Sequence, residues 1–178
     1  GQLPGDSIYL VETIKDISEL NFYEDDKIAY VTQTTLSVDD TQDMIAELRN
    51  KFPNIESSPK EDICYATSNR QNAIKEYANK CDAFIVVGSK NSSNSNRLVE
   101  VAKKAGCFNS YLLENAESLN VSNYSSYNTI GISSGASVPE VLVENVISKF
   151  QENYSLEIEN VSLGEEDVQF KLPREVRN

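Results

Sequence analysis

Apolar residues recur along this chain in two rhythms. Short continuous runs have the length and the β-branched or aromatic content of strands: Ile8-Tyr9-Leu10-Val11, Ile28-Ala29-Tyr30-Val31, Ala83-Phe84-Ile85-Val86-Val87, Tyr111-Leu112-Leu113 and Thr129-Ile130-Gly131-Ile132. Between them, Met44, Ile45, Leu48 and Phe52 recur at helical spacing, as do Leu98, Val99, Val101 and Ala102, and Val143, Val146, Ile147 and Phe150. A further unit opens with Asp62-Ile63-Cys64-Tyr65-Ala66-Thr67, read as a strand-to-loop junction, and continues as a helix through Ala73, Ile74 and Tyr77. Ser37 with Asp40 suits the start of the first long helix and Pro53 its end. Ser137-Val138-Pro139-Glu140 reads as a capping box with proline in the first turn.

This alternation predicts an α/β fold with parallel sheets covered on both faces, three layers deep. Ligands in such folds bind beyond the carboxyl ends of the strands, so the hydroxyl-rich segments that follow the strands are expected at one edge. The tail differs in kind. Tyr154, Leu156 and Ile158 alternate, as do Val168, Phe170 and Leu172, with Gly164 between the runs, which predicts a hairpin or two edge strands with a packing role. Ser57-Ser58-Pro59 has the composition of a domain boundary.

The segment Gly88-Ser89-Lys90-Asn91-Ser92-Ser93-Asn94-Ser95-Asn96-Arg97 joins a buried strand to a helix and is crowded with hydroxyls and amides. Unpaired N–H groups and the positive end of a helix dipole meet there, and together they favour an anion. It reads as a phosphate or diphosphate cradle. The simpler alternative for Ser92, Ser93 and Asn94 is a capped helix start in a solvated loop, and for Thr34 and Thr35 the ordinary threonines of a strand end. The loop lacks the glycine spacing of a dinucleotide fold, and Gly88-Ser89-Lys90 is not a Walker A loop. Donors must therefore come from side chains.

A formal charge of −12 opposes binding to nucleic acid or an anionic membrane. Histidine is absent, which removes the usual general base and the commonest metal ligand. The three cysteines are widely spaced, fitting neither a disulfide framework nor a self-contained zinc site. Cys81 and Cys107 read as buried thiols, whereas Cys64 lies where a thiolate could reach a metal. With no apolar run of about 18 residues and no signal-like leader, a cytoplasmic location is expected.

Four strings resemble the 4-hydroxy-3-methylbut-2-enyl diphosphate reductase family, in that family's order: Tyr30-Val31-Thr32-Gln33-Thr34-Thr35-Leu36-Ser37-Val38-Asp39-Asp40-Thr41, Asp62-Ile63-Cys64-Tyr65-Ala66-Thr67-Ser68-Asn69-Arg70-Gln71, Val86-Val87-Gly88-Ser89-Lys90-Asn91-Ser92-Ser93-Asn94-Ser95-Asn96-Arg97-Leu98 and Gly135-Ala136-Ser137-Val138-Pro139-Glu140. The resemblance implies a reductive dehydroxylation giving isopentenyl and dimethylallyl diphosphates. It implies a 4Fe–4S cluster held by three cysteines, and a ferredoxin or flavodoxin as electron donor. By motif, Cys64 resembles one cluster ligand. Ser92, Ser93, Asn94 and Ser137 resemble the diphosphate-binding set, and Thr34 and Thr35 the threonines facing substrate, with Thr34 nearest the chemistry. The family's other two ligand cysteines, its histidines and its proton-supplying glutamate belong to an N-terminal portion that this chain lacks. The chain alone is therefore expected to be inactive, with residues 1–60 completing a second lobe, 61–150 forming a third and 151–178 a β tail. The rival expectation is a non-enzymatic phosphate-binding module in which Cys64 is only a core thiol.

Overall fold

In the computed structural model, which describes residues 4–23, 25–57, 63–161 and 163, the apolar run before the serine-rich loop is the most deeply buried strand. The elements run α1 (Ile14–Glu19), β1 (Ala29–Tyr30), α2 (Val38–Lys51), β2 (Glu56–Ser57), α3 (Tyr65–Tyr77), β3 (Ala83–Val87), α4 (Ser93–Lys104), β4 (Ser110–Leu113), β5 (Ile130–Ser134) and α5 (Glu140–Gln151), with short 3-10 turns between some of them. β3 lies at the centre of a parallel sheet ordered β4-β3-β5, Phe84 facing Ser110 on one side and Gly131 on the other. β1 and β2 form a second parallel pair.

Every residue of β3 is buried, and alternation sends its side chains to two cores. Phe84 and Val86 meet Ile74 of α3 and Leu98, Val101 and Ala102 of α4, together with Cys107. Ile85 and Val87 meet Leu113 of β4, Leu119 and Val121 after it, and Val146 and Phe150 of α5. Helices thus cover both faces, as the sequence predicts, and each fully buried aliphatic side chain contributes roughly 1.5–3 kcal/mol. Gly106 ends α4 at φ 108°, where the Cys107 N–H reaches the Ala102 carbonyl and the Gly106 N–H that of Lys103. That left-handed turn is one a residue with a Cβ resists.

Polar ties join the first pair of strands and its helices to the rest. Asp40, in the first turn of α2, accepts from Lys104 of α4 at 2.9 Å and lies 3.6 Å from Arg97, while Asp39 pairs with Lys75 of α3 at 2.7 Å. The Lys104 hydrogen bond holds the Asp40 carboxyl below its ordinary range. Lys51, in the last turn of α2, donates to the carbonyls of Ile17, Ser18 and Leu20 and so closes the end of α1.

Several sequence expectations are corrected. Ile8–Val11 forms no strand and leaves Leu10 80% exposed, because strand composition supplies no sheet neighbour. Of Ile28–Val31 only the two central residues pair, and their partner Glu56–Ser57 is polar and exposed. Cys64 is the residue before α3, not a strand end, so its segment turns from loop into helix sooner than its apolar content suggests. Ser137 does not cap α5. The residue before that helix is Pro139, which makes no side-chain cap, because a turn closed by Val138 N–H on the Gly135 carbonyl holds Ser137 clear of the helix end. The tail run Tyr154, Leu156, Ile158 is exposed irregular chain, while Val168, Phe170 and Leu172 lie outside the described residues.

Among the described residues no helix is long and apolar enough to cross a membrane.

Candidate functional site

All strands being parallel within each sheet, β1, β3 and β5 release their chains at carboxyl ends, and the loops that follow them meet. Gln33, Thr34 and Thr35 after β1, Cys64 and Thr67 at the start of α3, Ser92, Ser93 and Asn94 at the start of α4, and Ala136 and Ser137 after β5 line one hollow of about 330 Å³. That volume suits a small ligand. Every candidate named from the sequence is there: Thr34, Thr35, Cys64, Ser92, Ser93, Asn94 and Ser137. Gln33, Thr67 and Ala136 were missed, although Thr67 lies one helical turn beyond Cys64 and so had to share its helix end.

The wall around α4 is built from hydroxyls and amides. Ser92 precedes the helix, and its Oγ accepts the N–H of Ser95 at 3.2 Å. The N–H groups of Ser93 and Asn94 find no acceptor among the described residues, as expected for a first turn, and they carry the positive end of the helix dipole. Asn94 is buried and joins two other loops to this one. Its Nδ2 donates to Thr67 Oγ1 at 3.3 Å, and its Oδ1 accepts the Ala136 N–H at 2.9 Å. The β5 loop is drawn in further by Gly135 N–H on the Val87 carbonyl at 3.0 Å.

The opposite wall hangs from α3. Cys64 N–H donates to the Thr34 carbonyl at 3.2 Å, and the Cys64 carbonyl accepts from Thr67 and Ser68 as α3 begins. Gln71, fully buried, donates from Nε2 to the Leu36 carbonyl at 2.8 Å and accepts the Val38 N–H on Oε1 at 3.0 Å. One amide therefore fixes both ends of the turn beyond Thr34 and Thr35. Gln71→Leu, leaving both backbone groups without partners, should cost about 2 kcal/mol in a denaturant titration and speed amide exchange at Val38. An unchanged midpoint with unchanged exchange would show that the turn holds itself.

Among the described residues no charged side chain lines the hollow. On α3 and α4, Lys75, Arg97 and Lys104 are engaged by Asp39, Asp40 and Glu100, and Arg70 donates to the Ala66 carbonyl. Neutral donors and a helix dipole make a site for an anion without fixing its charge by a counter-ion.

Cys64 is the cysteine at this site. It is exposed and makes no cap hydrogen bond, so its Sγ is available as a ligand. Cys81 and Cys107 sit before β3 and β4, at the amino ends of those strands, and belong to the core; burial pushes the Cys81 thiol up. Among the described residues no three acidic, cysteine or histidine side chains gather as a metal site. Cys64 can therefore offer one thiolate to a metal or cluster, a group that this single side chain does not hold by itself.

Comparison with known proteins matches residues 1–151 to the LytB protein family. The chain is 49% identical over 177 residues to a 4-hydroxy-3-methylbut-2-enyl diphosphate reductase of Ruegeria sp. (strain TM1040), and 50% identical to one of Methylocella silvestris. Each match takes in 99% of this chain and 56% of the relative, so the chain spans little more than half the length of these proteins. Among solved structures it is similar to the E-1-hydroxy-2-methyl-but-2-enyl-4-diphosphate reductase of Plasmodium falciparum, at TM-score 0.82 and 38% identity over 94% of this chain and 53% of that one.

Proposed function

Because this chain belongs to the LytB protein family, we propose that it is the C-terminal part of a 4-hydroxy-3-methylbut-2-enyl diphosphate reductase and that its hollow holds the substrate's diphosphate. The observation carrying the proposal is the convergence of one exposed cysteine with hydroxyls and N–H groups from separate loops in a single space of about 330 Å³.

The roles divide by wall. Ser92, Ser93, Asn94 and Ser137, with the free N–H groups at the start of α4, take the diphosphate oxygens. Thr35 and Thr34 face the carbon chain in this reading, and Thr34, whose carbonyl accepts the Cys64 N–H, is assigned to the departing hydroxyl. Cys64 is one of three thiolate ligands to a 4Fe–4S cluster, the others coming from an N-terminal portion. When bound, that cluster supplies the electrons for reductive loss of the allylic hydroxyl. Two electrons and two protons enter, the C–O bond breaks, water leaves, and a proton is placed at either allylic carbon to give isopentenyl or dimethylallyl diphosphate. A small electron-transfer protein, a ferredoxin or flavodoxin, is the donor in this reading, and the cytoplasm is its compartment.

The test is complementation. Joined to the N-terminal portion of the Methylocella silvestris relative and reconstituted anaerobically, the chain should yield both products, while the 178-residue chain treated identically should yield neither. A chimera that folds and carries its cluster without turnover would sink the enzyme reading. If the chain still bound inorganic pyrophosphate, the non-enzymatic phosphate-binding module would take its place.

A further inference from the structure

We infer that Ser95 is a positioning residue that fixes Ser92 as an outward hydrogen-bond donor, so that this point of the hollow accepts only a ligand presenting an acceptor oxygen. The inference rests on the anion-site reading above and adds a residue that does not line the hollow.

Ser95 is fully buried, and its hydroxyl sits in a crevice between the ends of β3 and β5. The crevice exists because positions 88 and 135 are both glycine; a Cβ at either would collide with Ser95 Oγ. The N–H groups of both glycines are already spent, Gly88 on the Leu113 carbonyl and Gly135 on that of Val87. Among the described residues the polar partner left to Ser95 Oγ is Ser92 Oγ, 3.1 Å away.

Two hydroxyls can share a proton in either direction, and burial decides between them. Were Ser92 the donor, the Ser95 proton would be stranded in a dry crevice with no acceptor, an arrangement that proteins avoid. Ser95 therefore donates. Ser92 Oγ then receives two protons, one from the Ser95 hydroxyl and one from the Ser95 N–H at 3.2 Å, which occupies both acceptor positions of a hydroxyl. Its own proton is left for the third direction. Ser92 is half-buried and lines the hollow, so that direction is open to a ligand. A phosphate oxygen satisfies it, whereas an ammonium or hydroxyl donor meets a proton and no lone pair.

The experiment is a double-mutant cycle read by calorimetric titration of the 178-residue chain with inorganic pyrophosphate. Ser92→Ala should weaken binding by about tenfold or more, the weight of one hydrogen bond to a charged group. Ser95→Ala, which frees an acceptor position on Ser92 and lets its proton turn away, should weaken it by roughly fivefold with the amide carbonyl and N–H framework retained. In the Ser92→Ala background the same Ser95→Ala change should cost less than about twofold. Equal losses with and without Ser92 would make Ser95 a packing residue and overturn the inference while leaving the anion site standing. A wild-type chain that does not bind pyrophosphate would overturn both. A measurement needing no variant runs beside it: the Ser95 hydroxyl proton should appear by NMR as a slowly exchanging signal close to the Ser92 β-protons. A protected Ser92 hydroxyl proton pointing at Ser95 would reverse the donor and overturn the inference.

Discussion

Cys64→Ser, made in the chimera completed with the relative's N-terminal portion, should abolish reductive turnover and strip the iron–sulfur chromophore while leaving the fold intact. Cys64 is exposed, forms no cap hydrogen bond through its side chain, and belongs to neither hydrophobic core, so exchange of sulfur for oxygen removes little packing. Its backbone bonds to Thr34, Thr67 and Ser68 survive in a serine. The loss must then come from ligation. Disturbing groups that merely support a metal ligand costs about 10- to 100-fold, so losing a direct ligand should exceed about a hundredfold in activity. Anaerobic iron and sulfide content and single-turnover product formation give the readout. Retained cluster with retained turnover would remove Cys64 from the centre. The same change should leave pyrophosphate binding within about twofold of wild type, since the partners proposed for the anion lie on the α4 and β5 loops, and that separates loss of the cluster from collapse of the site.

The sequence exposed the parts of this molecule in which local pattern and tertiary burial agree. β3 is apolar at each position because both of its faces are covered, and the loop beyond it had to stand at the ligand edge once the strands were parallel. Thr34, Ser92 and Ser137 were each legible as hydroxyls just after a strand, and the topology did the rest. What escaped depends on partners far away in the chain. β2 is two exposed polar residues whose strand character is conferred by β1 alone. Gln71 looks like any solvent-facing helix residue until the turn of Leu36 to Val38 is laid against it. Ser137 has the spacing of a capping box, but the turn at Gly135 starts the helix later and leaves its hydroxyl over the hollow. Local rules failed most clearly beside the site, where Ser137 lines the hollow instead of capping its helix.

Gly88→Ala should destabilise the fold by roughly 2 kcal/mol and lower anion affinity, and Gly135→Ala should do so less and by a mechanism that can be undone. Neither glycine has a positive φ, so backbone strain is not the issue and the alanine conformation is allowed. Space is. A Cβ at 88 would collide with Ser95 Oγ and also stand 2.7 Å from Ser95 Cβ, so no rotation of the serine relieves it and the first turn of α4 must move. At 135 the collision involves the Oγ alone; the next neighbours, Val138 Cγ2 at 3.4 Å and Asn94 Oδ1 at 3.6 Å, are in ordinary contact. Losing a glycine gains about 0.4–1 kcal/mol through the unfolded chain, against about 1–3 kcal/mol for overpacking, and overpacking wins at both positions. The two differ in their rescue. Adding Ser95→Ala to Gly135→Ala removes the colliding atom and should restore most of the stability in a denaturant titration, whereas adding it to Gly88→Ala keeps the Cβ–Cβ clash and should restore little. Pyrophosphate affinity should recover in neither double variant, because the hydroxyl that directs the Ser92 proton is gone from both. Recovery of stability together with affinity in the 135 pair would mean that the crevice serves only to seat a helix against two strand ends.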